Sequence, residues 1–151
     1  MDALDREILS RLQESGRVSA TELAEQVGLS LSSCHRRVKE LERSGAIERY
    51  RAVVSPEVVG LGFEAVIFVT IGVTSIDVIT AFEAAVVEIP SVVEVQRLFG
   101  EPDYILRVLT TDLAAYQSLY DTVLTGLPGV QRLQSTLVMK RVGQDRGVPI
   151  P

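Results

Sequence analysis

Apolar side chains recur at helical spacing through roughly the first 50 residues. They fall into three sets: Leu4, Ile8 and Leu12; Ala20, Leu23, Ala24 and Val27; and Leu31, Cys34, Val38 and Leu41. That spacing predicts three short amphipathic helices. Their ends are marked by glycines and short polar residues. Gly16 follows the first helix. Ser19 caps the second, Glu22 completes a capping box three positions on, and Gly28 ends it. Ser30 caps the third helix and Gly45 closes it. Residues 47–54 read as a short extended segment in which β-branched side chains alternate with arginines. Residues 55–62, with Pro56, Gly60 and Gly62, read as a linker.

Beyond the linker the period changes to two. Phe63, Ala65, Ile67, Val69, Ile71 and Val73 line one face of a strand, while Glu64, Val66, Phe68, Thr70, Gly72 and Thr74 give the other face a mixed character. A helix follows from Ser75 with Val78, Ile79, Phe82, Val86 and Ile89 inward, then strands over residues 92–99 and 103–110. Asp112 caps a further helix carrying Leu113, Tyr116, Tyr120, Val123 and Leu127, and a last strand covers residues 130–141. Ile89-Pro90-Ser91-Val92 is answered by Leu127-Pro128-Gly129-Val130, so the unit is internally repeated. Two βαβ halves in series predict a ferredoxin-like βαββαβ sandwich, with both helices on one face of a four-stranded antiparallel sheet and the other face bare. The chain is thus α+β: a helical domain at 1–54, a linker at 55–62, the sandwich at 63–142, and a loose, aperiodic tail at 143–151.

Composition narrows the class. A chain of 151 residues, 46% hydrophobic and 23% charged, suits one domain or two small ones and excludes collagen-like and disordered readings. Aromatic residues are few and Trp is absent, so the core rests on Val, Leu, Ile and Ala. The longest apolar stretch, residues 65–73, is about half of the ~18 residues that a membrane helix needs. The first residues lack the basic start and apolar block of a secretory signal, and the single cysteine, Cys34, permits no internal disulfide. A cytoplasmic location is expected. The net charge of −5 opposes indiscriminate binding to phosphate, yet residues 34–51 hold six basic side chains against three acidic ones.

That local charge has a pattern. In the second and third helices Ala24 and Gly28 stand four apart, as a helix-turn-helix requires. On the third helix Ser32, Ser33, Arg36, Lys39 and Arg43 lie opposite the apolar stripe. Short hydroxyls and arginines near a capped N-terminus are what a recognition helix uses on base edges and phosphates, and the segment 47–54, with Arg49, would serve as a wing. Candidate DNA contacts are Ser32, Ser33, His35, Arg36, Arg37, Lys39 and Arg49, the bland alternative being a solvated basic helix. His35 is a phosphate neighbour or a solvated side chain, because no cluster has metal-ligand spacing. Cys34 reads as a small core residue. No phosphate loop, nucleophile elbow or catalytic triad is legible, so neither an enzyme nor a cofactor is expected. In the sandwich the one polar constellation is Asp103 beside Tyr104, after Gly100 and Pro102. Asp103 either bonds nearby backbone amides or binds a ligand, and the two roles are compatible.

Taken in order, these segments resemble the Lrp/AsnC (feast/famine) transcription regulators. The resemblance lies in Leu4-Asp5-Arg6-Glu7-Ile8-Leu9, Leu23-Ala24 through Val27-Gly28-Leu29-Ser30, Arg36-Arg37-Val38-Lys39 with Leu41-Glu42, and Gly45-Ala46-Ile47 through Tyr50. It continues in Gly100-Glu101-Pro102-Asp103-Tyr104 and Leu127-Pro128-Gly129-Val130. It implies a winged helix-turn-helix on double-stranded DNA and an amino-acid-sensing sandwich that dimerises through its sheet, four dimers forming an octamer. The effector would lie between dimers near the loop, which makes Gly100, Glu101, Asp103, Tyr104 and, on the last strand, Ser135 the candidate effector contacts. That strand departs from the family pattern: Leu133 and Ser135 stand where two threonines commonly alternate, and Gly143 where a lysine often closes it. Its apolar character favours a branched-chain amino acid or methionine. Two other readings stay open: a DNA-organising paralogue that ignores effectors, and a ferredoxin-like small-molecule-binding protein without DNA binding.

Overall fold

Capping chemistry sets the helix starts. In the computed structural model, which describes residues 1–143 and 147–151, helix α1 (Ala3–Glu14) begins at a capping box in which Asp2 accepts from the Asp5 amide and Asp5 accepts from the Asp2 amide, each at 2.9 Å. Helix α2 (Ala20–Gln26) has the predicted Ser19–Glu22 box, and α3 (Leu31–Arg43) starts at Ser30. Between them Gly28, at φ +66°, closes α2 with the Gly28 amide bonded to Glu25 and the Leu29 amide to Ala24, a tight stop that turns the chain into α3. Ile8, Leu23, Ala24, Val27, Cys34 and Leu41 form the core of this unit. Leu31 departs from the expected stripe and is 51% exposed. Residues 47–54 form no strand, so the extended segment expected there as a wing is irregular backbone.

The chain divides into two compact units, residues 1–53 with 142–151, and residues 54–141. The tail therefore belongs to the helical unit. It was expected to be loose; instead the Gln13 side chain, near the end of α1, bonds both backbone groups of Val148, at 2.7 and 3.1 Å. Residues 144–146 of that segment lie outside the described residues.

The second unit runs β1 (Phe63–Ile71), α4 (Ile76–Val86), β2 (Val92–Arg97), β3 (Tyr104–Thr110), α5 (Leu113–Thr122), a 3-10 turn (Leu124–Gly126) and β4 (Val130–Leu137). The strands order β2-β3-β1-β4, all antiparallel, the βαββαβ sandwich predicted from the sequence. Ala65, Ile67, Val69 and Ile71 face the helices and pack with Phe82, Val86, Tyr104, Leu106, Val108, Tyr116 and Leu124. Two expected positions on α5 differ: Leu113 and Val123 are exposed, and Leu124 is fully buried. The helix stops at Thr122, so the ~100° per residue that placed Val123 inward no longer applies. Gly129, at φ +71°, lies so close to Val78 that a Cβ would fall 2.1 Å from Val78 Cγ1.

Candidate functional site

Helix α3 buries Cys34 and Leu41, and burial pushes the Cys34 thiol pKa up, which suits a packing role. With that face fixed, ~100° per residue puts Ser32, Arg36, Lys39 and Arg43 together on the outward side. All four are exposed. Arg36 and Lys39 have no ion-pair partner among the described residues. Arg43 pairs with Glu40 at 2.6 Å, an i,i+3 surface contact of small worth that a phosphate can displace. Ser33 is half-buried at the margin, its amide bonded to Ser30 Oγ. Exposed His35 lies at the other margin beside a hollow of about 250 Å³, which it lines with Leu12, Val18, Val38, Glu42 and Tyr50.

Arg37 corrects the sequence expectation. Its Nη1 donates to Asp2 Oδ2 and Asp5 Oδ1, both at 2.7 Å, and its side chain is only 21% exposed. The hydrogen bonds to Asp2 and Asp5 hold the guanidinium pKa above its ordinary value, while the Asp5 amide and then Arg37 hold the Asp2 carboxyl below its own. Arg37 therefore staples α3 to the N-terminus of α1 and does not face outward with Arg36. The Asp2–Asp5 half of this clamp was readable as an Asp-x-x-Asp cap before an apolar run; its pairing with Arg37 was not. Arg49 lies apart from the α3 face, on a groove bounded by α1, residues 46–53 and the tail.

In the sandwich the loop from Gly100 to Asp103 joins β2 to β3. Asp103 is fastened three ways to its neighbours: its amide donates to Val69 O at 2.9 Å, its carbonyl accepts from Leu98 at 2.8 Å, and its Oδ2 accepts from the Ile71 amide at 2.7 Å. The carboxylate thus extends the β1–β3 ladder past its last pair, Val69 with Tyr104. Tyr104 is a core residue, 1% exposed, its ring packed against Phe82 with centres 4.6 Å apart and planes tilted by 43°, and its hydroxyl donating to Glu83. Burial and that hydrogen bond push its phenol up to about 12. Gly100 and Glu101 are exposed, as is Phe99 in full.

Ser135 is not brought to this loop. It pairs with Ile67 on the opposite side of β1 from β3, and its hydroxyl is bonded to Tyr116. At about 3.3 Å per residue and 4.8 Å between strands, more than about 10 Å separates it from Asp103, too far for one amino acid to touch both within one chain. The bare sheet face carries Val66, Phe68 and Ile105, all half-buried, beside an ionic cluster in which Glu64 holds Arg107 at 2.7 Å and Arg141 at 2.8 Å.

Comparison with known proteins accounts for both halves. A family model described as winged helix-turn-helix DNA-binding matches residues 1–48, and one described as Lrp/AsnC ligand binding domain matches residues 64–148. The chain is 36% identical over 144 residues to the leucine-responsive regulatory protein of Haemophilus influenzae, covering 95% of this chain and 87% of that one. It is 35% identical over 150 residues to the protein of that name from Escherichia coli K12, covering 99% and 92%. Among solved structures, a transcriptional regulator from Neisseria meningitidis in complex with L-Met superposes with TM-score 0.93 at 40% identity, over 99% of this chain and 96% of that one. An AsnC family regulator from Agrobacterium tumefaciens gives 0.92 at 34%, over 99% and 97%. With a helix-turn-helix whose basic face is turned outward, a ferredoxin-like ligand-binding unit, and matches along nearly its whole length, the chain belongs to the Lrp/AsnC family and is a DNA-binding transcriptional regulator with a ligand-binding domain.

Proposed function

We propose that α3 reads a specific DNA sequence through Ser32, Arg36, Lys39 and Arg43, and that a free amino acid bound at the sandwich alters that binding. The observation that carries the first half is the contrast between Arg36, exposed and unpaired among the described residues, and its neighbour Arg37, held by two carboxylates. The amino-acid reading is supported by the Neisseria meningitidis neighbour, which holds L-Met. Asp103 is a positioning residue for the loop rather than the main ammonium acceptor, because one of its oxygens is committed to Ile71. Tyr104 holds β3 from beneath, and Gly100 and Glu101 are left to face the ligand. Leu133 packs against the sandwich core, and the choice of an apolar effector, a branched-chain amino acid or methionine, rests on the L-Met held by the Neisseria meningitidis neighbour.

An effector that prefers one assembly shifts the population toward it, with couplings of about 1–3 kcal/mol. The assembly is a dimer or a larger ring of dimers of this chain, built by covering Val66, Phe68 and Ile105 on the bare face of the sheet. No helix of the described residues is long and apolar enough to cross a membrane. A regulatory protein without enzymatic activity, working in the cytoplasm, fits this picture. One observation favours a second reading, an effector-independent DNA organiser: Ser135, where the family commonly has threonine, has its hydroxyl occupied by Tyr116. A genome-wide DNA pull-down with and without the twenty amino acids, paired with calorimetry of the wild type and Asp103→Ala, separates the two. Selective fragments whose yield changes with one apolar amino acid support the first reading. Selective fragments with no response and no binding heat establish the second, and no fragment enrichment overturns both.

A further inference from the structure

We propose that residues 147–151 form a clasp that ties the last strand of the ligand-binding unit to α1 of the DNA-binding unit, so that ligand state reaches DNA through two covalent leads rather than one. The regulatory part of this proposal rests on the ligand-responsive reading above. Three observations place the clasp. First, Gln13 presents its side-chain amide to Val148 as a strand would, Oε1 accepting from the Val148 amide at 2.7 Å and Nε2 donating to the Val148 carbonyl at 3.1 Å. A neutral side chain satisfying both polar groups of one residue fixes position and direction together. Second, Gly147 is at φ +68°, and a Cβ there would lie 2.4 Å from Gln13 Oε1, so the approach has the shape of glycine. Third, a groove of about 970 Å³ is lined by Leu9 and Gln13 of α1, Ile47 and Val53 of the exit segment, and Val148 and Ile150 of the tail.

The composition of the tail suits the task. Pro149 and Pro151 carry no amide hydrogen and fix φ, so the segment cannot extend into a ladder and loses less freedom on docking than an ordinary peptide. Its course gives the docking a consequence. β4 ends at Leu137 and the tail engages α1 at Val148, while the segment that leaves the DNA-binding unit, residues 46–53, lines the same groove. The exit segment of the DNA-binding unit and the clasp at residues 148–151 therefore share one groove on that unit. A body held by one lead rotates about it; a body held by two responds to a change at either.

The test uses the full chain as wild type, Gln13→Ala, Gln13→Glu and a form lacking residues 147–151. Hydrogen exchange followed by mass spectrometry is read in peptides covering the end of α1, residues 46–53 and the tail, with α3 as the internal check that the unit is folded. Losing the Gln13 bonds is expected to speed exchange at the tail by about tenfold with α3 unchanged, and Gln13→Glu, which keeps an acceptor for the Val148 amide but loses the donor, falls between. DNA affinity is then measured with and without L-methionine and L-leucine. The wild-type ratio is expected to collapse towards one in Gln13→Ala and in the shortened chain, while affinity without amino acid changes by less than about threefold. Equal tail exchange in wild type and Gln13→Ala overturns the clasp, and an undiminished ratio in both variants overturns its regulatory role. A wild type that ignores every amino acid defeats the ligand-responsive reading, and the exchange experiment still decides the clasp.

Discussion

Two adjacent arginines on α3 are predicted to behave differently when each is cut back to alanine. Arg36 is exposed with no ion pair among the described residues, so its removal costs the fold little and falls on DNA. If it contacts a phosphate, the slope of log affinity against log salt shrinks by about 0.9, so the wild type loses about 3.5-fold more affinity than the variant between about 50 and 200 mM salt. If it forks onto guanine, the loss is about 1–3 kcal/mol, or about 5- to 150-fold, and is confined to the specific sequence. Arg37 is the opposite case. Its removal breaks two 2.7 Å bonds and leaves Asp2 and Asp5 facing each other at the start of α1, Asp5 with a side chain only 17% exposed. A lower melting temperature follows, while affinity measured well below that temperature stays within about twofold of wild type. The assay is anisotropy of labelled operator and random DNA at four salt concentrations, with melting followed by circular dichroism. Equal loss of affinity in folded Arg36→Ala and folded Arg37→Ala refutes the orientation assigned to α3.

Further outcomes follow from single contacts. Gly129→Ala adds a methyl 2.1 Å from Val78 at a positive φ, and urea unfolding is expected to show a loss of about 2–4 kcal/mol from the combined overpacking and strain. In an ultraviolet titration Tyr104 ionises near 12. Because that folded-state value lies above the ordinary 10, its contribution is intact below pH 10 and is lost as pH rises from 10 to 12, and Tyr104→Phe removes this part of the alkaline transition. The lowered Asp2 carboxyl has the opposite sign: it supports the DNA-binding unit above its ordinary 3.8 and that support is lost as pH falls through the depressed value, an acid step that Asp2→Asn abolishes.

What could be read in the sequence was local. Ser19, Ser30 and Asp112 are helix caps as predicted, because a cap bonds an amide two or three residues away, and Ser75, read only as the start of a helix, caps in the same way. The alternation of β1 is likewise visible in its own residues, and the paired Pro motifs disclosed the repeat. Positions set by distant partners were not readable. Arg37 turns inward because of carboxylates 32 and 35 residues earlier, and the tail is ordered by a glutamine 135 residues away. β4 stops at Leu137, four residues short of its predicted end; among the described residues its neighbour is β1, whose register with it ends at Ala65 and Leu137, with one further bond from the Val138 amide to the Glu64 carbonyl. The separation of Ser135 from the Asp103 loop depends on strand order, which no single segment encodes.

Because the DNA-binding unit draws on both residues 1–53 and residues 142–151, a ribosome delivers its parts at two different times. The sandwich is made in between, and at about 5–20 residues per second the roughly 90 intervening residues take about 5 to 20 s. Through that interval the nascent helices stand with Leu9 and Val53 on a groove whose wall of residues 148–151 has not yet been made. Until then the Gln13 side-chain amide, which later bonds both backbone groups of Val148, is left to water. The helical unit therefore reaches its full set of contacts only after the sandwich has been made.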